Sequence, residues 1–245
     1  MWYTYMMRKQ SIVTGEYYHI YNRGVDKREI FNNKKDLHRF IESISEFNQI
    51  EVIGSLANLR KTKIETAPKA LSGRKQLVAM VAYCLNPNHF HFVLKQLVDG
   101  GIAKFMQKLQ GGYTSYFNVK NSRTGSLFQG TFKAHLINNE NYFNKIIGYT
   151  NKNYKIHHIP KNKLDLVWAS DLEYENNNLK IVSKIESEKI LEIFGGSQNF
   201  KRHCDEIVSI IRKEREDASL SEELEEDHLP DSALGAVWES KTDRA

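Results

Sequence analysis

Tyr83-Cys84-Leu85-Asn86-Pro87-Asn88-His89-Phe90-His91-Phe92 packs a strand end, a turn and a second strand into ten residues. Pro87 between two asparagines marks the turn, because each of these residues favours a chain reversal. The β-prone run 76–84 before it and the run 89–96 after it predict an antiparallel hairpin around a turn at 85–88. Residues two apart on a strand share a face. His89 and His91 are therefore expected side by side, with Phe90 and Phe92 turned to the core. Two imidazoles on one rigid strand can hold a divalent ion. The plainer alternative is a pair of partly buried, hydrogen-bonded histidines.

Working outward, Tyr17-Tyr18-His19-Ile20-Tyr21-Asn22 is aromatic and β-prone and is broken by Arg23-Gly24, which predicts a first strand. Asn33 precedes a helical pattern over 34–48 with Leu37, Phe40, Ile41 and Ile44 on one face. Residues 51–59 read as a further strand and 61–75 as a polar, basic loop. Gly100-Gly101 precede a helix over 102–118. Residues 127–137 read as a strand, and Asn138-Asn139 cap a helix running to about 153. The mixture of helices with antiparallel strands is an α+β fold: a central antiparallel sheet carrying the His-x-His strand, flanked by helices. After Pro160 the pattern changes. Residues 164–182 are irregular or weakly β, and two short helices over 187–194 and 198–213 form a small C-terminal helical appendage. The expected organisation is a catalytic domain over 1–158, a partly helical appendage over 159–213, and an acidic, disordered tail over 214–245.

The chain has 245 residues, 40% of them apolar, and a net charge of +5. That charge is unevenly placed. From Glu214 onward there are 3 basic and 11 acidic residues, which leaves 32 basic against 19 acidic in the rest. A basic body suits a polyanionic partner, most often nucleic acid. The two cysteines, Cys84 and Cys204, suggest neither a disulfide framework nor a thiolate zinc site. No apolar run reaches bilayer-spanning length, and the start lacks a secretory pattern, so a cytoplasmic protein without a membrane partner is expected.

A metal site needs a third ligand and a reaction needs a nucleophile. Tyr149 and Asn153 lie four apart on the helix predicted over 139–153, hence on one face. Asn153 could offer its amide oxygen to an ion held by His89 and His91, with Tyr149 beside the bound substrate. Imidazole with oxygen ligands suits Mg²⁺ or Mn²⁺. With 12 tyrosines in the chain, most of them structural, Tyr149 reads more readily as a core or surface aromatic, and Asn153 as a C-terminal helix cap. Tyr113 and Tyr116, three apart on the preceding helix, are rival nucleophiles. His157-His158 reads as a surface pair, since adjacent residues point to different sides.

Several segments taken together resemble the single-tyrosine HUH transposases, and most of all the REP-associated tyrosine transposases. They are Tyr18-His19-Ile20-Tyr21-Asn22-Arg23-Gly24 with Ile30-Phe31, the stretch from Tyr83 to Phe92, and Met106-Gln107-Lys108-Leu109 through Tyr113 to Asn118. Gly125-Ser126-Leu127-Phe128-Gln129-Gly130 and Tyr149-Thr150-Asn151-Lys152-Asn153 complete the set. Order and spacing match that family from about residue 15 to 158. The resemblance implies a metal-binding pair at His89 and His91, a polar third ligand at Asn153 and a nucleophile at Tyr149. It also implies an HUH/RRM-like fold, a Mg²⁺ or Mn²⁺ cofactor, and single-stranded DNA with a hairpin or repeat as partner. The implied activity is metal-dependent DNA cleavage and rejoining in transposition, through a 5′-phosphotyrosine. The alternative is a domesticated DNA-binding protein that keeps the scaffold without cleaving. In a homodimer Tyr149 could serve the neighbouring copy. Thr131 and Tyr154 stand where the family often has Arg and Pro. Candidate DNA contacts are Arg23, Lys104, Lys108, Lys120 and Arg123 for phosphates, with Tyr113 and Tyr116 for stacking on unpaired bases.

Overall fold

The hairpin at residues 78–96 forms the middle of the sheet. The computed structural model describes residues 11–51, 75–157 and 159–219. In chain order its elements are β1 (Tyr17–Arg23), α1 (Lys34–Phe47), β2 (Val78–Leu85), β3 (His89–Gln96), α2 (Gly101–Lys120), β4 (Lys133–Leu136) and α3 (Glu140–Asn151). A short turn, α4 (Asn153–Ile156), follows, then β5 (Trp168–Ala169), α5 (Asp171–Asn176), α6 (Lys184–Ile193) and α7 (Ser197–Ser219). The five strands are antiparallel in the order β4-β1-β3-β2-β5. The fold is α+β with His89 and His91 on the central strand.

Period-two alternation gives the two faces of the sheet different work. Phe90 and Phe92 stack on each other at 4.7 Å, and Phe40 of α1 lies tilted against Phe90 at 5.7 Å. Tyr113 of α2 meets Phe40 edge-on at 4.9 Å. This is the apolar layer under α1 and α2, and truncating a fully buried ring such as Phe90 to Ala costs about 3–5 kcal/mol. The opposite face carries His19, Tyr21 and His91, and α3 lies against it. α7 crosses over α3, where Gly148 allows the approach: a Cβ there would stand 3.0 Å from the Ile207 side chain.

Helix starts follow their caps. The Asn33 side chain accepts from the Asp36 backbone N–H at 3.2 Å, and Asn139 does the same for Tyr142 at 2.7 Å. Elsewhere the chain departs from expectation. Of residues 127–137, the ladder takes 133–136, and Phe128 makes a single bridge to Gly24. Gly125 and Gly130 have φ of 84° and 64°, and these reversals stop a continuous strand. The helix expected over 139–153 breaks at Lys152 (φ −125°, ψ 27°) and resumes as α4. The irregular stretch after Pro160 supplies the edge strand β5. α7 runs through residues 214–219, so the first part of the acidic stretch is helical, not disordered. Phe200, Cys204, Val208 and Ile211 of α7 belong to the same apolar core as the sheet. The strand read at 51–59 and the basic loop read at 61–75 fall almost wholly outside the described residues, as do residues 220–245.

Candidate metal centre

The tight turn between β2 and β3 sets the first ligand. His89 Nδ1 lies 2.7 Å from Asn88 Oδ1, and Asn88 turns its own amide nitrogen to the Lys27 carbonyl at 3.4 Å. The oxygen of Asn88 can only accept, so His89 carries its proton on Nδ1 and presents a lone pair at Nε2. That nitrogen lies 3.1 Å from Asn153 Oδ1 and 2.8 Å from Asn86 Nδ2, which also donates to Asn153 Oδ1 at 2.8 Å. Two acceptors thus converge on one NH₂ group. Two ligands about 2.1 Å from an octahedral cation, at right angles, stand about 3.0 Å apart. Asn153 is fully buried, and its Nδ2 has no hydrogen-bond partner among the described residues. Its oxygen, not its nitrogen, is the atom the fold has placed.

His91 sits two residues along the same strand face and is buried. Its Nδ1 lies 2.9 Å from His19 Nε2 on β1, with the two rings parallel at 5.2 Å. Tyr21, its cross-strand neighbour, stacks on it at 5.5 Å. Burial, then the neighbouring imidazoles His19, His89 and His157, hold His91 well below the ordinary imidazole range and therefore neutral. A neutral imidazole is the form that ligates.

His157 completes the group. Its ring lies 4.7 Å from that of His89, and one ring nitrogen from each of His89, His91 and His157 falls within 4.8 Å of the others. The surface role expected for His157 is therefore corrected: the turn after α4 folds it back over β3. His158 lies outside the described residues. Three imidazoles with an amide oxygen nearby fit a divalent cation, because a neutral imidazole and an amide oxygen each offer it a lone pair.

Tyr149, in the last turn of α3, sets its ring edge-on to His91 at 5.3 Å and to His19 at 6.1 Å. It is 1% exposed. Beside His89 and His157 opens a cavity of about 490 Å³ whose wall carries Arg23, Lys27, Lys163 and Arg215, with Glu29 as its one carboxylate among the described residues.

The structure brings Tyr149, His89, His91 and Asn153 together within one chain, and Arg23, bonded to Gln129, lines the cavity beside His89. The other candidate DNA contacts lie on or next to α2, across the sheet. Tyr113 is fully buried and donates to the Ile30 carbonyl at 2.6 Å. Tyr116 and Lys120 both bind Asp36, at 2.9 Å and 2.5 Å. Lys104 and Lys108 cap the Ile50 and Gln49 carbonyls, and Arg123 holds Asn118. The contacts of Tyr113, Tyr116, Lys120, Lys104 and Lys108 tie α2 to α1 and to the chain on either side of it. Sequence reasoning assigned no role to Asn86 or His19 and placed His157 at the surface. Their signals were a buried amide in the turn, a histidine alternating with Tyr21 on β1, and a histidine four residues past Asn153.

Neither a protein-family model nor a curated protein matches the chain. Among solved structures, one described as "Structure of the REP associates tyrosine transposase bound to a REP hairpin" is similar at a TM-score of 0.44 and 14% identity, over 72% of this chain and 89% of that chain. A likeness at that level transfers no residue role. Among the described residues no helix is long and apolar enough to cross a membrane.

Proposed function

We propose that the protein is a single-tyrosine HUH enzyme of the REP-associated transposase kind, which cleaves and rejoins single-stranded DNA beside a hairpin. The observation that carries this reading is the placement of the Tyr149 ring against His91, in the same subunit as His89, His157 and Asn153. His89 and His91, with Asn153 and His157, would hold the cation, Mg²⁺ or Mn²⁺ in this reading. When bound it supplies Lewis-acid polarisation of a phosphate.

Tyr149 Oη then attacks phosphorus as the bond from phosphorus to the 3′-oxygen breaks. The DNA keeps its 5′-phosphate as a phosphotyrosine ester, and the departing 3′-oxygen gains the proton that the phenol loses. Attack by another 3′-hydroxyl reverses the step and joins new strands, with no nucleotide triphosphate consumed. Arg23, Lys27, Lys163 and Arg215 line the approach to His89 and would hold the flanking phosphates.

Incubation with labelled hairpin DNA and Mg²⁺ or Mn²⁺ tests this. A covalent protein–DNA product should form, vanish in Tyr149→Phe, and persist in Tyr113→Phe and Tyr116→Phe. A product that survives in Tyr149→Phe removes Tyr149 as nucleophile. The burial of Tyr149 favours a second reading, a DNA-binding protein that does not cleave, because the phenol must be uncovered before it can reach a phosphate. That reading predicts hairpin binding without adduct in either metal.

A further inference from the structure

The two strand imidazoles are held in matching ways. His89 is anchored through Nδ1 by Asn88, and His91 through Nδ1 by His19. Asn88 offers an oxygen and so dictates the position of the His89 proton. His19 offers an imidazole nitrogen, which can either accept or donate. The direction of that one proton decides whether His91 can serve the site. If His19 donates, His91 keeps its proton on Nε2 and has no lone pair for a cation. If His19 accepts, His91 is protonated on Nδ1 and its Nε2 lone pair is available.

We infer that His19 is a positioning residue that accepts the Nδ1 proton of His91 and so makes His91 a ligand. The inference rests on the reading of the cluster as a cation site. Three observations support it. His19 is buried, so water does not compete for its nitrogen. Its ring lies parallel to that of His91, 8° apart, with the nitrogens at 2.9 Å. Tyr21 stacks on both rings, at 5.1 Å and 5.5 Å, which keeps either from turning. Partners of this kind orient ligating histidines, and their loss typically weakens metal binding 10- to 100-fold.

The full chain, free of metal, is labelled with ¹⁵N on histidine, and the ring nitrogens are assigned by substitution. The expected spectrum has His91 protonated on Nδ1 and bare on Nε2, with His19 bare on Nε2. In His19→Leu that preference should be lost, and Mn²⁺ affinity should fall about 10- to 100-fold. In His19→Gln, whose amide oxygen can take the same proton, both tautomer and affinity should stay near wild type, with an unchanged amide spectrum confirming the fold. A wild-type His91 protonated on Nε2 overturns the inference, as does His19→Gln failing as badly as His19→Leu. Absence of any Mn²⁺ binding to wild type would sink the cation-site reading instead, while the tautomer is read without metal.

Discussion

Asn153 and His157 compete for the same description as the ligand that joins the His89–His91 pair, and they do so from consecutive turns of chain. The amide oxygen of Asn153 is 3.1 Å from His89 Nε2, and the three imidazole nitrogens all lie within 4.8 Å of one another. The Asn153 oxygen stands at the spacing of adjacent ligands, and the His157 nitrogen lies within reach of the same ion. Both should matter if the cluster binds a cation. Asn153→Ala and His157→Ala are each expected to weaken Mn²⁺ binding by about tenfold or more, read by calorimetric titration. An unchanged affinity in either variant removes that residue from the ligand set. His157 reads as a surface residue in the sequence because its true place depends on the chain bending after α4. The i+4 spacing from Asn153 would have flagged it had the helix not been ended there.

At the level of elements, the parts legible in the sequence are those governed by local chemistry. The Pro87-Asn88 turn fixes the β2–β3 hairpin, and the Asn33 and Asn139 side chains start α1 and α3. The parts that were not legible depend on tertiary contact. β4 is four residues long because glycine reversals at 125 and 130 consume the apolar stretch before it. α6 is held to the sheet by a carboxylate that no local pattern reveals. Glu186 accepts from Tyr17 Oη at 2.6 Å and from Lys189 at 3.0 Å, with Lys95 at 3.6 Å. Burial alone would raise its pKa, but these hydrogen bonds and charges overcome that and hold it below the usual carboxylate value. A depressed carboxylate contributes stability above its unfolded pKa, and that contribution fades as pH falls through the folded value. Thermal unfolding between about pH 6 and pH 3 should show wild type more stable than Glu186→Gln at the upper end, with the gap closing toward acid. A gap that is constant with pH would contradict this role.

For the whole molecule, both faces of the sheet are covered, and this is what sequence reading could not resolve. A lysine on α2 and an arginine on β1 look alike in composition, yet they lie on opposite sides of the core. The cavity beside His89 gathers Arg23, Lys27, Lys163 and Arg215, of which Lys163 pairs with Glu29 and Arg23 with Gln129, and the α2 cations bind carbonyls and Asp36 on the other face. Substituting Lys27 and Arg215 by Gln should weaken hairpin binding several-fold and flatten its salt dependence, since each lost phosphate contact lowers the slope by about one. The same change at Lys104 and Arg123 should leave both unaltered, and the reverse pattern in a salt-dependent binding assay would move the DNA to the other face. The central claim is that Tyr149, next to His91, takes the DNA. Trapped protein–DNA product can be digested with trypsin and nuclease and read by mass spectrometry. The account predicts a nucleotide 5′-phosphate on the peptide spanning 146–152, attached at Tyr149; attachment at Tyr21, Tyr113 or Tyr116, or no modified peptide in Mg²⁺ or Mn²⁺, would contradict it.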